Sequence, residues 1–284
     1  MSTPFQNIVI VGKQEDPRVI DALELLRTHL TKAGVALLST AEIGNADLVI
    51  AIGGDGTMLY ASRLVRETGT PILGINRGRL GFLADITPDE MIESIEHILK
   101  GNYSTDSRLL LEARLQRHSG DVEVAFALND VVLQRRETGR MVDFETRVAG
   151  QYVNTHSGDG LIVATPTGST AYALSCGGPI IEPQLDVVVV VPICPHTLTD
   201  RPIVISADQP VEVTLLQRDD TRAEITVDGF AMGSIRPDDK LLISAANMRV
   251  TLVHPPGYDF YGILRSKLYW GRDSRNRETE TLET

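Results

Sequence analysis

Gly53-Gly54-Asp55-Gly56-Thr57 lies directly after an apolar run, Ala46 to Ile52, and directly before a helical pattern that begins at Met58. Glycines at the carboxyl end of a buried strand let backbone N–H groups approach a phosphate chain without obstruction by Cβ. A helix that starts there adds the positive end of its dipole. A carboxylate in such a turn does not bind phosphate directly, because like charges repel. It could hold a divalent cation that bridges phosphates, or accept a proton from a hydroxyl under attack. The residue types therefore point to phosphoryl chemistry. The plainer alternative is an Asp that only caps the helix in a ligand-free turn. No Gly-Lys-Ser/Thr follows, so the turn is not a Walker A loop, and the Gly-x-Gly-x-x-Gly spacing of a dinucleotide fingerprint is absent.

Three further segments carry polar groups where a simple strand would not. Asn129-Asp130 interrupts the apolar run Ala125 to Leu133, which reads as a turn or bulge, or as a polar pair aimed at ligand hydroxyls. Gly158-Asp159-Gly160 precedes the strand Leu161 to Ala164. The hydroxyl-rich segment Thr165 to Tyr172 follows and runs into a short helix. Such a run is commonly a solvated loop, yet it offers many donors and acceptors to a sugar or a phosphate. His196 and His254 adjoin prolines in β contexts and read as structural. Cys176 and Cys194 form no disulfide framework and no zinc pair with companion ligands; both read as small buried fillers.

These groups must be positioned by elements of two kinds. Up to about residue 105, strands and helices alternate: Asn7 to Gly12, the helix Pro17 to Lys32, Val35 to Leu38 and Leu48 to Ile52, then the helix Met58 to Glu67, Pro71 to Ile75 and the helix Pro88 to Lys100. Strands separated by helices imply right-handed crossovers and a parallel sheet with ligands at the strand carboxyl ends. From 106 to 257 short β-branched runs recur between Gly, Pro and Asp, which predicts a mainly antiparallel β domain, layered or barrel-like. Residues 258–270 return to helical spacing and are expected to pack back on the first domain. The segment 271–284 has one aliphatic residue and is expected to be disordered. The domains are thus expected at 1–105 with 258–270, and at 106–257.

In a chain of 284 residues, a net charge of −11 argues against nonspecific binding to nucleic acid or an anionic membrane, which needs a basic face. No signal peptide opens it and no apolar run reaches the ~18 residues of a span, so a cytoplasmic location is expected.

Taken together, Gly53 to Thr57, Gly74 to Leu83, Asn129-Asp130, Asp159 to Tyr172 and Pro195 to Val204 resemble the NAD kinase family, in the order found there. The long string Asp159 to Tyr172 is the most specific of these, because Gly-Gly-Asp-Gly-Thr is shared with lipid kinases. The resemblance implies transfer of the ATP γ-phosphoryl group to the adenosine-ribose 2′-hydroxyl of NAD, with a divalent cation, magnesium, as cofactor. It implies a Rossmann-like N-terminal domain, an all-β second domain and a returning C-terminal helix. It also implies a homo-oligomer, dimer or tetramer, with the dinucleotide between domains and subunits. By resemblance Asp55 is the general base, and Gly53, Gly54, Gly56 and Thr57 approach phosphate. NAD is met by Asp55, Gly56, Phe82, Asn129, Asp130, Arg140, Asp159, Thr170, Ala171, Tyr172 and Ser175. Asn129 and Asp130 take ribose and base groups, and Asp159 the nicotinamide side. Ser157 and Phe230 depart from residues common in similar enzymes, which bears on details of the NAD contact.

Two rival readings remain at this level. A lipid or sphingoid kinase would share the glycine turn, but the acidic charge, the lack of a basic amphipathic helix and the Thr165 to Tyr172 string disfavour it. A non-catalytic NAD(P)-binding regulator would have less reason to keep Asp55.

Overall fold

In a computed structural model, the chain is described except for residues 1–3, 13–16, 79–80, 137–140, 218–221 and 271–284, and for residues 17 and 18 only the backbone is described. Arg140 and the segment 271–284, expected to be disordered, thus lie outside the described residues. The chain divides into two compact units. One comprises residues 1–61, 70–105 and 252–284, the other residues 62–69 and 106–251.

The first unit begins with β1 (Asn7–Gly12), α1 (Pro17–Lys32), β2 (Ala36–Leu38), β3 (Leu48–Ile52), α2 (Asp55–Val65), β4 (Ile72–Ile75) and α3 (Met91–Leu99). The strands are parallel in the order β2-β1-β3-β4. β3 and β4 are buried at every residue, as unbroken apolar runs in a sheet covered on both faces should be. Val19, Leu23, Leu26 and Leu30 form the buried stripe of α1, and Ile20 lies at its edge, 38% exposed. Two helix starts differ by three residues from the sequence reading. α2 starts at Asp55 rather than Met58, because the glycine turn already winds as the first helical turn. α3 starts at Met91, since Thr87 to Glu90 form a turn held by the Glu90 carboxylate, which accepts from the Thr87 hydroxyl at 2.5 Å.

Apart from the end of α2 and short turns, the second unit is β. β5 (Ser104–Gln116), β6 (Val122–Ala127), β7 (Asp130–Arg135), β8 (Val142–Val148), β9 (Gln151–Gly158) and β10 (Gly160–Ala164) come first. A 3-10 turn (Thr167–Thr170) and the single-turn α4 (Tyr172–Ser175) follow. Then come β11 (Val187–Ile193), β12 (Ile203–Ser206), β13 (Val211–Leu215), β14 (Ala223–Val227), β15 (Phe230–Ile235) and β16 (Lys240–His254). One layer runs β12-β11-β10-β7-β14-β15, and the other pairs β16, β13, β8 and β9, with β5 on β16 and β6 on β5. Leu111, Phe144 and Val213 of one layer share a core with Val131, Leu161 and Ile225 of the other. The layered alternative is therefore the one realised, with alternating residues turned inward.

The chain then returns to the first unit earlier than position 258. The end of β16 pairs in parallel with β4, Leu252 with Ile72 and Val253 with Leu73, and α5 (Phe260–Leu268) follows. Val253 is buried in the same core as Ile8, Ile50 and Leu73. His254 is structural as expected: its Nδ1 lies 2.8 Å from Asp85 and its ring stacks on Tyr258 at 3.7 Å. The cysteines correct the expectation of two buried fillers. Cys176 is half-buried and Cys194 is exposed, because Cys194 sits in a left-handed turn (φ 44°) just past β11 rather than within it. No helix among the described residues is long and apolar enough to cross a membrane.

Candidate functional site

The phosphate-type turn of the first unit is built by close packing at three glycines, Gly53, Gly74 and Gly81. A Cβ on Gly53 would stand 2.1 Å from the Thr57 hydroxyl, so only glycine lets the first turn of α2 fold back on the strand end. Gly53 N–H is bonded to Ile75 O at 2.8 Å, and the first i→i−4 bond of α2 runs from Met58 N–H to Gly54 O. The N–H groups of Gly54, Asp55 and Gly56 precede that bond and are the donors a helix start offers to an anion.

Asp55 is aimed by a second loop. Its Oδ2 accepts Phe82 N–H at 3.2 Å and its Oδ1 accepts Leu83 N–H at 3.1 Å. Gly74 makes that loop possible, because a Cβ there would meet Ala84 Cα and Leu83 O, each at 2.8 Å. Gly81 gives the carboxylate its room, with a Cβ falling 2.3 Å from Asp55 Oδ1. The spacing from Gly74 to Leu83 thus carries one geometric task, which is to present two amides to Asp55. A carboxylate oxygen has two lone-pair directions, so each retains capacity for another proton. Phe82, half-buried, has Lys267 Nζ 5.5 Å over its ring.

In the second unit, Leu128 and Asn129 link β6 to β7, which belong to different layers, so the polar pair marks a sheet switch. Asp130 begins β7 and is 5% exposed. The switch is packed against the start of the hydroxyl-rich loop. Thr165 N–H donates to Asn129 O at 2.9 Å, and Thr165 Oγ1 donates to Leu128 O at 2.5 Å. A Cβ on Gly168 would collide with the Asn129 carbonyl at 2.1 Å. Most of the loop's hydroxyls are committed internally: Thr165 Oγ1 also accepts Gly168 N–H, Ser169 Oγ bonds Pro166 O, and Thr170 Oγ1 donates to Thr167 O. The solvated-loop alternative fails for Thr165, Thr167 and Ser169, which are buried. Tyr172 and Ser175 are exposed, and Thr170 and Ala171 are half-buried.

Asp159 stands apart from that cluster. It and Thr165 flank β10, so roughly 20 Å of extended strand separates them at ~3.4 Å per residue. Asp159 is held by Arg135, whose Nε lies 3.1 Å from its Oδ1. The Tyr172 phenol lies near Asp159, Cys176 and Cys194. Its pKa is raised, first by burial, then by its contact with Cys176 and the charges of Cys194 and Asp159.

Two groups that the sequence reading passed over stand beside these residues in the second unit. Arg108, 2% exposed, is bidentate to Asp106 at 2.7 Å on both oxygens, and its Nη1 reaches Thr167 Oγ1 at 3.3 Å. Asp228 lies beside Asp130, and its carboxylate accepts from the Leu128–Asp130 backbone. Burial first, then the charge of Asp228, pushes the Asp130 carboxyl up to about 7. Asp228 is itself raised by burial, against the opposing pull of its three amide donors and of Arg63. Arg63 also covers the Phe230 ring at 4.4 Å. An Asp-Gly pair between strands was the available signal for position 228, but it reads locally as hairpin chemistry.

The family models for the ATP-NAD kinase N-terminal domain and the ATP-NAD kinase C-terminal domain match residues 21–103 and 128–255. The NAD kinase of Nitrosococcus oceani is 41% identical, over 96% of this chain and 99% of the relative. That of Aromatoleum aromaticum is 40% identical, over 97% of each. Among solved structures, an Archaeoglobus fulgidus NAD kinase in complex with ATP aligns at TM-score 0.73 and 27% identity, covering 92% of this chain and 99% of that one. The yeast NADH kinase complexed with NADH shares the fold at TM-score 0.89 and 23% identity, over 95% of this chain and 89% of that one. The glycine turn that presents Asp55, the polar sheet switch and the buried hydroxyl loop lie inside the matched segments, and with near-complete coverage by such relatives they place this chain in the NAD kinase family.

Proposed function

We infer that the protein transfers the γ-phosphoryl group of ATP to the 2′-hydroxyl of the adenosine ribose of NAD, forming NADP and ADP. The observation that carries this reading is Asp55, held by two amides at the mouth of a glycine turn in a chain of the NAD kinase family. Asp55 accepts the proton of the 2′-hydroxyl as that oxygen bonds to the γ-phosphorus. The bond from the γ-phosphorus to the bridging oxygen breaks, and its electron pair leaves with ADP. The N–H groups at the start of α2 stabilise phosphate charge, which is the main work of a protein in phosphoryl transfer. Gly53, Gly54, Gly56 and Thr57 form this phosphate face.

Among the described residues no three His, Cys, Asp or Glu side chains converge to hold a metal, and both Asp55 oxygens face amides. A magnesium ion bound on the ATP phosphates would neutralise charge on the γ-phosphoryl oxygens. By the family resemblance NAD is assigned to Asp55, Gly56, Phe82, Asn129, Asp130, Arg140, Asp159, Thr170, Ala171, Tyr172 and Ser175. The length of β10 between Asp159 and Thr165 suits a long ligand read at two ends. A homo-oligomer, dimer or tetramer, and a cytoplasmic location complete the reading. Leu198, at 88% exposure, and the exposed Tyr152 and Val153 supply apolar surface for assembly.

The test is direct. Purified protein with ATP, Mg²⁺ and NAD should form NADP, detected with an NADP-specific dehydrogenase, and EDTA should abolish turnover. Phosphorylation of diacylglycerol or a sphingoid base with NAD untouched would replace this reading with the lipid kinase.

A further inference from the structure

Resting on the assignment of Asn129 and Asp130 to NAD, we propose that Asp228 is a positioning residue for the dinucleotide: its carboxylate fixes the turn that carries both of them. The geometry is a three-donor grip. Asp228 Oδ2 accepts Leu128 N–H at 2.8 Å, and Oδ1 accepts Asn129 N–H at 2.7 Å and Asp130 N–H at 3.2 Å. In return, Asp228 N–H donates to Asp130 O at 3.0 Å. Three successive amides converging on one anion form a nest, here filled by a side chain.

The sheet register delivers that carboxylate. β14 runs antiparallel to β7 with Val227 opposite Val131, so the next residue on β14 falls beside Asp130. Val227 and Phe230 pair across a two-residue turn of Asp228 (φ 50°) and Gly229 (φ 77°), the left-handed pair that a tight hairpin requires. An Asn at 228 would suit that turn equally well. What an Asn cannot do is accept at both oxygens.

The grip is needed because the chain changes layers at 128–129. β6 pairs with β5 while β7 pairs with β10 and β14, so the amides between them fall outside both ladders. Leu128 and Asp130 are 1% and 5% exposed, where an unsatisfied amide is costly. The carbonyls of Leu128 and Asn129 are taken by Thr165, and the amides by Asp228. Clamped on both sides, the turn fixes the Cα–Cβ directions of Asn129 and Asp130. Misplacement by ~1 Å at a bound reactant can cost ~10²-fold in rate, so this role concerns geometry rather than contact.

The experiment compares Asp228→Asn, Asp228→Ala and Asn129→Ala with wild type, and uses Ile225→Val as a control that loosens the same strand's core without touching the turn. KM for NAD, KM for ATP, kcat and Tm are measured for each. Hydrogen bonds to a charged group are strong enough that Asp228→Asn should raise the NAD KM about tenfold or more while the ATP KM changes less than about threefold. Asp228→Ala should be worse, and the partial rescue by Asn is a signature of acceptor chemistry. Ile225→Val should lower Tm without moving the NAD KM. An unchanged NAD KM in folded Asp228→Asn, or equal rises for NAD and ATP, would overturn the proposal. If Asn129→Ala itself leaves the NAD KM unchanged, the assignment of NAD to that turn falls and this inference with it. If Asn129→Ala raises it and Asp228→Asn does not, the inference alone falls.

Discussion

At Asp55, two amide bonds and the start of α2 hold one carboxylate where a hydroxyl can meet it. Asp55→Asn keeps one acceptor oxygen and loses the base, so kcat should fall by about 10²–10⁴-fold with NAD affinity largely kept. Calorimetric NAD binding beside steady-state rates checks the split; near-wild-type kcat would reduce Asp55 to a helix cap. Asp130 is a different kind of residue, a carboxyl raised to about 7 by burial and by Asp228. Unfolded, it titrates near ~3.9. Between those values the folded chain keeps a proton that the unfolded chain has released. Wild-type stability from this group is therefore full below about pH 4, declines as pH rises towards about 7, and is flat above. Asp130→Asn removes that titration. The Tm of the variant minus that of wild type should grow from pH 4 to 7 and then level. A difference independent of pH would mean that Asp130 is ionised throughout.

At the scale of elements, the hydroxyl-rich loop between β10 and α4 is a buried connector as much as a binding surface. Its Thr167 is tied to β5 through Arg108, whose guanidinium is also bidentate to Asp106. Removing one member of a buried pair leaves the other charge uncompensated, which typically costs ~3–5 kcal/mol. Arg108→Met should lower stability by about that amount in urea melts and raise the NAD KM through Thr167. Arg108→Lys should recover little, since an ammonium cannot span both carboxylate oxygens and the hydroxyl. A stability loss below ~1 kcal/mol would show the pair to be dispensable. The sequence foretold a loop rich in donors here. It did not foretell that most of those donors face inward, because a hydroxyl's partner depends on which strand packs beside it.

For the whole molecule, the first unit is discontinuous in sequence. Its sheet gains Leu252 and Val253 beside β4, and Val253 enters the core with Ile50 and Leu73. A fragment of residues 1–105 therefore lacks a core residue and leaves the β4 edge open, a template for aggregation. It should show no cooperative thermal transition by circular dichroism and no kinase activity. Appending residues 252–270 through a flexible linker should restore a cooperative melt. Cooperative unfolding of 1–105 alone would show that the returning segment is not needed for that core.

The sequence by itself determined the alternation of strand and helix up to residue 105, the β-rich remainder, the glycine turn around Asp55 and the family likeness. Each of these is written in periodicity, in spacing over a few residues or in an uninterrupted string. Asn129-Asp130 was legible as an oddity for the same reason, since two polar residues break an apolar run. The tertiary structure alone decided what holds them. Asp228 reaches Leu128 across a separation of 100 residues, and Arg108 reaches Thr167 across 59. Contacts of that kind are set by strand order and register, which depend on how the two layers close over a shared core. Local spacing does not encode them. The exposed Cys194 makes the same point in reverse: an apolar neighbourhood in sequence became an exposed turn because β11 ends one residue before it.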